Sequence, residues 1–119
     1  MNNEITIQNN QISYAYIAGL LEGEGSFLIS KEKQYRENKG RGPFYRPQIS
    51  INMRDKIPLE FLTNAFPRTI YFHKTIFRVQ YRTTQTIDII NKIFPYLTFK
   101  HDQAQTLLDL HKSKQESNN

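Results

Sequence analysis

The chain has 119 residues, 38% hydrophobic and 23% charged, with a formal net charge of +5 and a pI near 9.5, which suits a single domain whose partners are anionic. Cysteine is absent, excluding a disulfide framework and thiolate metal sites, and His73, His101 and His111 show no zinc-ligand spacing, so any metal must be oxygen-bound. No apolar run approaches the length of a membrane span, and the opening MNNEITIQNNQ has neither a signal-peptide core nor an arginine-rich transit pattern, so a soluble protein with no membrane partner is expected.

Residues 1–11 are expected to form a flexible N-terminus, 12–111 a single domain and 112–119 a flexible tail. The first helix carries the most unusual segment, YIAGLLEGEGSF, Tyr16 to Phe27. Ala15, Gly19 and Gly23 recur at i, i+4 and i+8, so the smallest side chains share one face, along which another helix can approach closely. Two glycines inside a helix cost about 1 kcal/mol each relative to alanine, a loss that close packing has to offset. Glu22 and Glu24 fall in the last turn, where the helix dipole disfavours a carboxylate by about 0.3 to 1 kcal/mol. Acids there call for a positive charge from outside, with a divalent metal the obvious candidate, and Gly25 is expected to take the left-handed cap conformation that turns the chain into a strand. Spacing and dipole alone leave a capped acidic turn equally open.

Ser26 to Arg36 alternates, with Phe27 and Ile29 on one side and Ser30, Glu32, Gln34 and Arg36 on the other. Turn-forming residues from Glu37 to Pro43 close a long hairpin to a second strand, Phe44 to Arg54. Its Ile49, Ile51 and Met53 oppose a wet face of Arg46, Gln48, Ser50, Asn52 and Arg54. Asp55 then caps a helix beginning near Pro58 and stopped by Pro67, with Leu59, Leu62 and Phe66 as its apolar face. Two more strands follow, Thr69 to His73 and Ile76 to Arg82, the latter setting Arg78, Gln80 and Arg82 against Phe77, Val79 and Tyr81. Thr84 to Phe94 is helical, and a last helix over 98–111 carries Ala104, Leu107, Leu108 and His111. This order fits an α+β domain, an antiparallel sheet covered by helices on one face only.

Charge follows the strands. Lys31 to Arg82 holds twelve basic and four acidic residues, a net +8 against −3 elsewhere. A solvated charge bias is the bland alternative, but the basic groups lie on strands whose wet faces are rich in groups suited to base edges and phosphates. Double-stranded DNA read in the major groove is the expected partner, through Ser30, Glu32, Gln34, Arg36, Arg46, Gln48, Ser50, Asn52, Arg54, Arg78, Gln80 and Arg82. Lys39 and Arg41 in the long hairpin loop are expected to follow phosphates at the rim.

The nine contiguous residues Ile17, Ala18, Gly19, Leu20, Leu21, Glu22, Gly23, Glu24 and Gly25 resemble the signature motif of the LAGLIDADG homing endonucleases, with glutamate replacing both aspartates. The resemblance implies the αββαββα fold of that family over about residues 12–111. It also implies site-specific, metal-dependent cleavage of both strands of a long, pseudo-palindromic target, leaving short 3′ overhangs. Magnesium is the expected metal, with manganese a possible substitute. The last acid of the motif, Glu24, is the implied metal ligand, and the carbonyl of Gly23 completes the shell in relatives. Glu22 is expected to cap or pack at the interface instead.

One carboxylate alone holds a metal poorly and a duplex has two strands, so two chains meeting through Ala15, Ala18, Gly19, Glu22 and Gly23 are expected to bring both Glu24 side chains to the scissile phosphates. A lysine just before the last helix steadies the transition state in relatives, and Lys100 occupies that place, its alternative being a solvated surface lysine. Asp55 aligns with a polar residue that orients water, with helix capping equally open. The basic residue that relatives carry a turn later has no clear match, since Leu59 falls there and Lys56 would have to reach. Such genes usually sit in mobile introns, and the Asn-, Lys- and Ile-rich composition suits an AT-rich organellar or bacterial genome. The alternatives are an intron RNA maturase, a non-cleaving binding protein of the same fold, or one half of a larger two-domain nuclease.

Overall fold

The computed structural model describes residues 14–32 and 44–117. A helix over residues 14–24 (α1) passes directly into strand β1, Gly25–Glu32. Then follow β2 (Phe44–Met53), α2 (Ile57–Ala65), β3 (Tyr71–His73), β4 (Ile76–Arg82), α3 (Thr83–Ile93), a 3-10 turn at Phe94–Tyr96, and α4 (His101–Ser117). The expected positions at residues 1–13 and at Gln34, Arg36, Lys39 and Arg41 lie outside the described residues.

All strand pairs are antiparallel, in the order β1-β2-β4-β3. Directly opposed residues project to the same side of a sheet. The pairings Phe27 with Ile49, Ile49 with Tyr81 and Ile51 with Val79 therefore gather one apolar face, and Ile49, Ile51, Val79 and Tyr81 are all buried there. Ile17, Ala18 and Leu21 of α1, Leu59 and Leu62 of α2, Ile89, Ile90 and Ile93 of α3, and Ala104 and Leu107 of α4 complete the core. Helices thus cover one face, and no described element covers the other, in keeping with the alternation. Tyr81 ties the layers together: its buried hydroxyl donates to the Phe66 carbonyl at 2.6 Å, and burial pushes its pKa well up despite the nearby Arg68 charge, so it stays a donor.

Several boundaries differ from the sequence expectation, each for a local reason. The third strand begins at Tyr71, not Thr69, and Arg68 Nε takes the Gln80 carbonyl at 2.7 Å beyond its end. The second helix does begin near Pro58 as expected, at Ile57, whose N–H donates to Asp55 Oδ1 at 3.0 Å. The last helix starts at His101 and runs to Ser117, well past His111, so residues 112–117 are helical and not a frayed tail.

Gly25 is required, but not for a left-handed turn, because its backbone lies outside that region. The strand leaves α1 so abruptly that a Cβ on Gly25 would sit 2.9 Å from the Leu21 carbonyl oxygen and 3.1 Å from Leu21 Cδ2. Gly25→Ala is expected to destabilise the fold by about 1 to 3 kcal/mol through overpacking. Urea unfolding checks this: the midpoint should fall with the slope unchanged.

Candidate functional site

Among the described residues nothing packs on α1 at Gly19 and Gly23. Ala15, Gly19 and Gly23 are exposed, and a Cβ built on Gly19 or Gly23 would meet nothing within 4 Å. The protomer's own packing therefore gives no reason for glycine at either position. Two residues grouped with that face belong elsewhere. Ala18 is fully buried in the protomer core and Glu22 is 4% exposed, so both point inward and are removed from the surface stripe.

Glu22 spans from α1 to the start of α4. Its Oε2 accepts the backbone N–H of Thr98 (2.8 Å), Phe99 (2.7 Å) and Lys100 (2.8 Å), and Oε1 accepts the Thr98 N–H (2.9 Å) and hydroxyl (3.0 Å). The carboxylate thus satisfies donors that a helix N-terminus leaves open, at the end where the dipole favours an anion. It is also why α4 starts late: residues 98–100 are held in the capping segment, and the first helical bond runs from Ala104 N–H to the Lys100 carbonyl at 3.0 Å. Burial pushes the Glu22 pKa up, but the N–H groups of Lys100, Phe99 and Thr98 and the Thr98 hydroxyl outweigh it and leave the pKa lowered from 4.5.

A lowered folded-state pKa means that Glu22 contributes stability fully present above its unfolded value and lost as pH falls through the folded one. Glu22→Ala is expected to cost about 2 to 3 kcal/mol at pH 7, since it strips charged hydrogen bonds from part-buried donors. The gap between wild type and variant should narrow below about pH 4.5, where the unfolded carboxyl begins to bind its proton. Unfolding of both proteins from pH 7 to 3 tests the sign.

Glu24, by contrast, is exposed at the end of α1 and has no hydrogen-bond or ion-pair partner among the described residues. Lys100 is half-buried, and its amine donates to the carbonyl of Gly25, the residue after Glu24, at 2.9 Å. One oxygen of Asp55 is engaged at the start of α2, while Leu59 is buried and Lys56 exposed. Among the described residues no group of three His, Cys, Asp or Glu converges on a point. An exposed carboxylate with no partner among the described residues still fits magnesium. That ion binds through one or two carboxylates plus water and substrate phosphates, and does not need a cage made only of protein.

The open sheet face carries Arg46, Gln48, Ser50 and Asn52 of β2 beside Arg78, Gln80 and Arg82 of β4, with Ser26, Leu28 and Ser30 of β1 alongside. Glu32 continues this strand, its backbone opposite Phe44, and Arg54 is exposed just beyond β2. Arg78 Nε donates to Asn52 Oδ1 at 2.7 Å, an exposed cross-strand pair that orients the guanidinium. Sequence reasoning missed Tyr71 and His73, which the β3–β4 register puts on this same face, where they line a concavity with Asn52, Arg78 and Gln80. It also missed Leu28, an exposed apolar side chain amid polar ones. The face therefore combines bidentate donors, amides, hydroxyls and apolar contacts, the repertoire that distinguishes base edges in a major groove.

A profile of the LAGLIDADG endonuclease family matches residues 17–117. Among solved structures, the homing endonuclease I-CvuI in complex with the I-CreI target matches with a TM-score of 0.72 at 18% identity, over 86% of this chain and 68% of that one. The homing endonuclease I-TnaI gives 0.70 at 17% identity, over 87% and 74%. The group I intron-encoded homing endonuclease I-CeuI, complexed with DNA, gives 0.69 at 16% identity, over 87% and 56%. No curated protein matches the chain in sequence.

Proposed function

The chain belongs to the LAGLIDADG endonuclease family, and from that premise we propose that it is a site-specific homing endonuclease, acting as a homodimer that hydrolyses one phosphodiester in each strand of a long, pseudo-palindromic DNA target. The observation that carries this reading is the end of α1, where Glu24 is exposed with no hydrogen-bond or ion-pair partner among the described residues, next to glycines whose built Cβ atoms would meet nothing within 4 Å among those residues. A protein that only bound DNA would need neither.

In this reading Glu24 and the Gly23 carbonyl would hold magnesium, or manganese in its place. The metal, when bound, lowers the pKa of a water and neutralises charge developing at phosphorus. Glu24 fixes where that chemistry occurs. The Lys100 ammonium, held on the Gly25 carbonyl, stabilises the growing negative charge on the phosphoryl and leaving oxygens. Asp55 keeps one carboxylate oxygen free of the Ile57 N–H and orients water with it. Gly19 and Gly23 let the partner helix approach until both Glu24 side chains reach the two scissile phosphates. The open sheet face reads the duplex, with Arg46, Arg78 and Arg82 as guanine readers and Gln48, Asn52 and Gln80 as adenine readers. An intron-borne gene is part of the same proposal, supported by the description of I-CeuI as group I intron-encoded.

The test is incubation of the purified protein with a randomised duplex-DNA library and, in parallel, with structured group I intron RNA, each with magnesium and with a chelator. Enrichment of cut DNA only with magnesium supports the nuclease. Retention of RNA with no cut DNA would replace it by the maturase reading.

A further inference from the structure

We infer that Glu22 is a positioning residue for cleavage, setting Lys100 against the end of α1 through the capping segment 98–100. The inference rests on the nuclease reading above and assigns a second role to a motif acid that ligates nothing.

A lysine side chain has four rotatable stem bonds and carries about 2 kcal/mol of rotamer entropy, so an amine that must meet one phosphate needs a fixed backbone and a local acceptor. Lys100 has both, and both come from the motif. Its backbone N–H donates to Glu22 Oε2 at 2.8 Å, and its amine donates to the Gly25 carbonyl at 2.9 Å. These anchors stand on either side of Glu24 in the chain. The end of α1 therefore holds Lys100 at two points, its backbone and its amine.

The division of charge is equally specific. The negative charge of Glu22 is buried and turned toward three amides and a hydroxyl, and the Lys100 amine pairs with a neutral carbonyl and with neither motif carboxylate. The ammonium thus keeps its full charge for the phosphate. A salt bridge to Glu22 would cancel that charge, and a salt bridge to Glu24 would occupy the oxygens reserved for metal.

The experiment is a double-mutant cycle on single-turnover cleavage of a target recovered from the randomised library, with DNA affinity measured beside it. Glu22→Ala is expected to slow cleavage by about 10²-fold with the dissociation constant unchanged, the scale of a misplaced reacting group. Glu22→Gln, whose side-chain oxygen can still accept the three amides, should recover most of the rate. In a Lys100→Met background, Glu22→Ala should add no further loss, because the group it positions is gone. Amide hydrogen exchange at Phe99 and Lys100 gives a readout independent of activity: protected in wild type, open in Glu22→Ala, protected again in Glu22→Gln.

If Glu22→Ala does not fold, the smaller loss in Glu22→Gln must vanish in the Lys100→Met background in the same way. Equal losses with and without the lysine, a defect confined to DNA affinity, or unprotected amides in wild type would each overturn the inference while leaving the nuclease standing. A wild type that cuts no DNA would bring down both.

Discussion

Glu24→Gln is expected to lower the single-turnover cleavage rate by about 10³-fold or more while leaving DNA affinity within a few-fold of wild type. The substitution keeps the shape and removes the charge. The Glu24 side chain is exposed and makes no hydrogen bond or ion pair among the described residues. Stability should even rise slightly, by about 0.3 to 1 kcal/mol, because a carboxylate at a helix C-terminus opposes the dipole. A variant that is as stable as wild type, binds equally and does not cut is the signature of a ligand for an external cation. Magnesium titration provides the check, since the residual activity should need far more metal to saturate. Unchanged cutting would mean that the metal, if any, is held elsewhere.

Gly19→Leu is expected to separate the dimer and remove cleavage, with a protomer at least as stable as wild type. Inside the protomer a Cβ at Gly19 meets nothing within 4 Å among the described residues, and replacing glycine within a helix gains about 1 kcal/mol from propensity. Against a second helix at close approach, the same side chain holds the backbones apart. The two effects have opposite sign, so no loss of folding can imitate the result. Sedimentation should show the mass falling to that of one chain, 14.1 kDa, with circular dichroism unchanged. A variant that remains dimeric and active would place the interface on some other surface.

Much of this was legible in the sequence because the relevant signals are local. Alternation along Phe44 to Met53 set which side chains face the open side, and the pairings of Gln48 with Arg82 and Asn52 with Arg78 follow the same phase. What could not be read depends on distant partners. The role of Glu22 is defined by amides 76 to 78 positions downstream, so nothing near it in sequence distinguishes a cap from an interface residue. Ala18 has the small side chain of the outward stripe but sits one position before it on the helix, which turns it into the core.

Tyr71 and His73 escaped because β3 has only three residues, too few to display an alternation, and only pairing with β4 assigns their face. Helix α4 passes the expected end at His111 because nothing in KSKQES breaks it: lysine and glutamine favour helix and no glycine or proline intervenes. At Gly25 the residue was right and the reason wrong, since the constraint is the closeness of Leu21, which only the strand's exit angle reveals.

The central claim is that two copies of one exposed carboxylate cut the two strands of a duplex, and sequencing both ends of every fragment cut from the randomised library tests it most directly. Two breaks per site, on opposite strands, offset by a few base pairs to leave 3′ overhangs and centred on a pseudo-twofold consensus, are required, and they must disappear with chelator and with Glu24→Gln. Single-strand nicks in an asymmetric consensus, or cuts that survive Glu24→Gln, would contradict it.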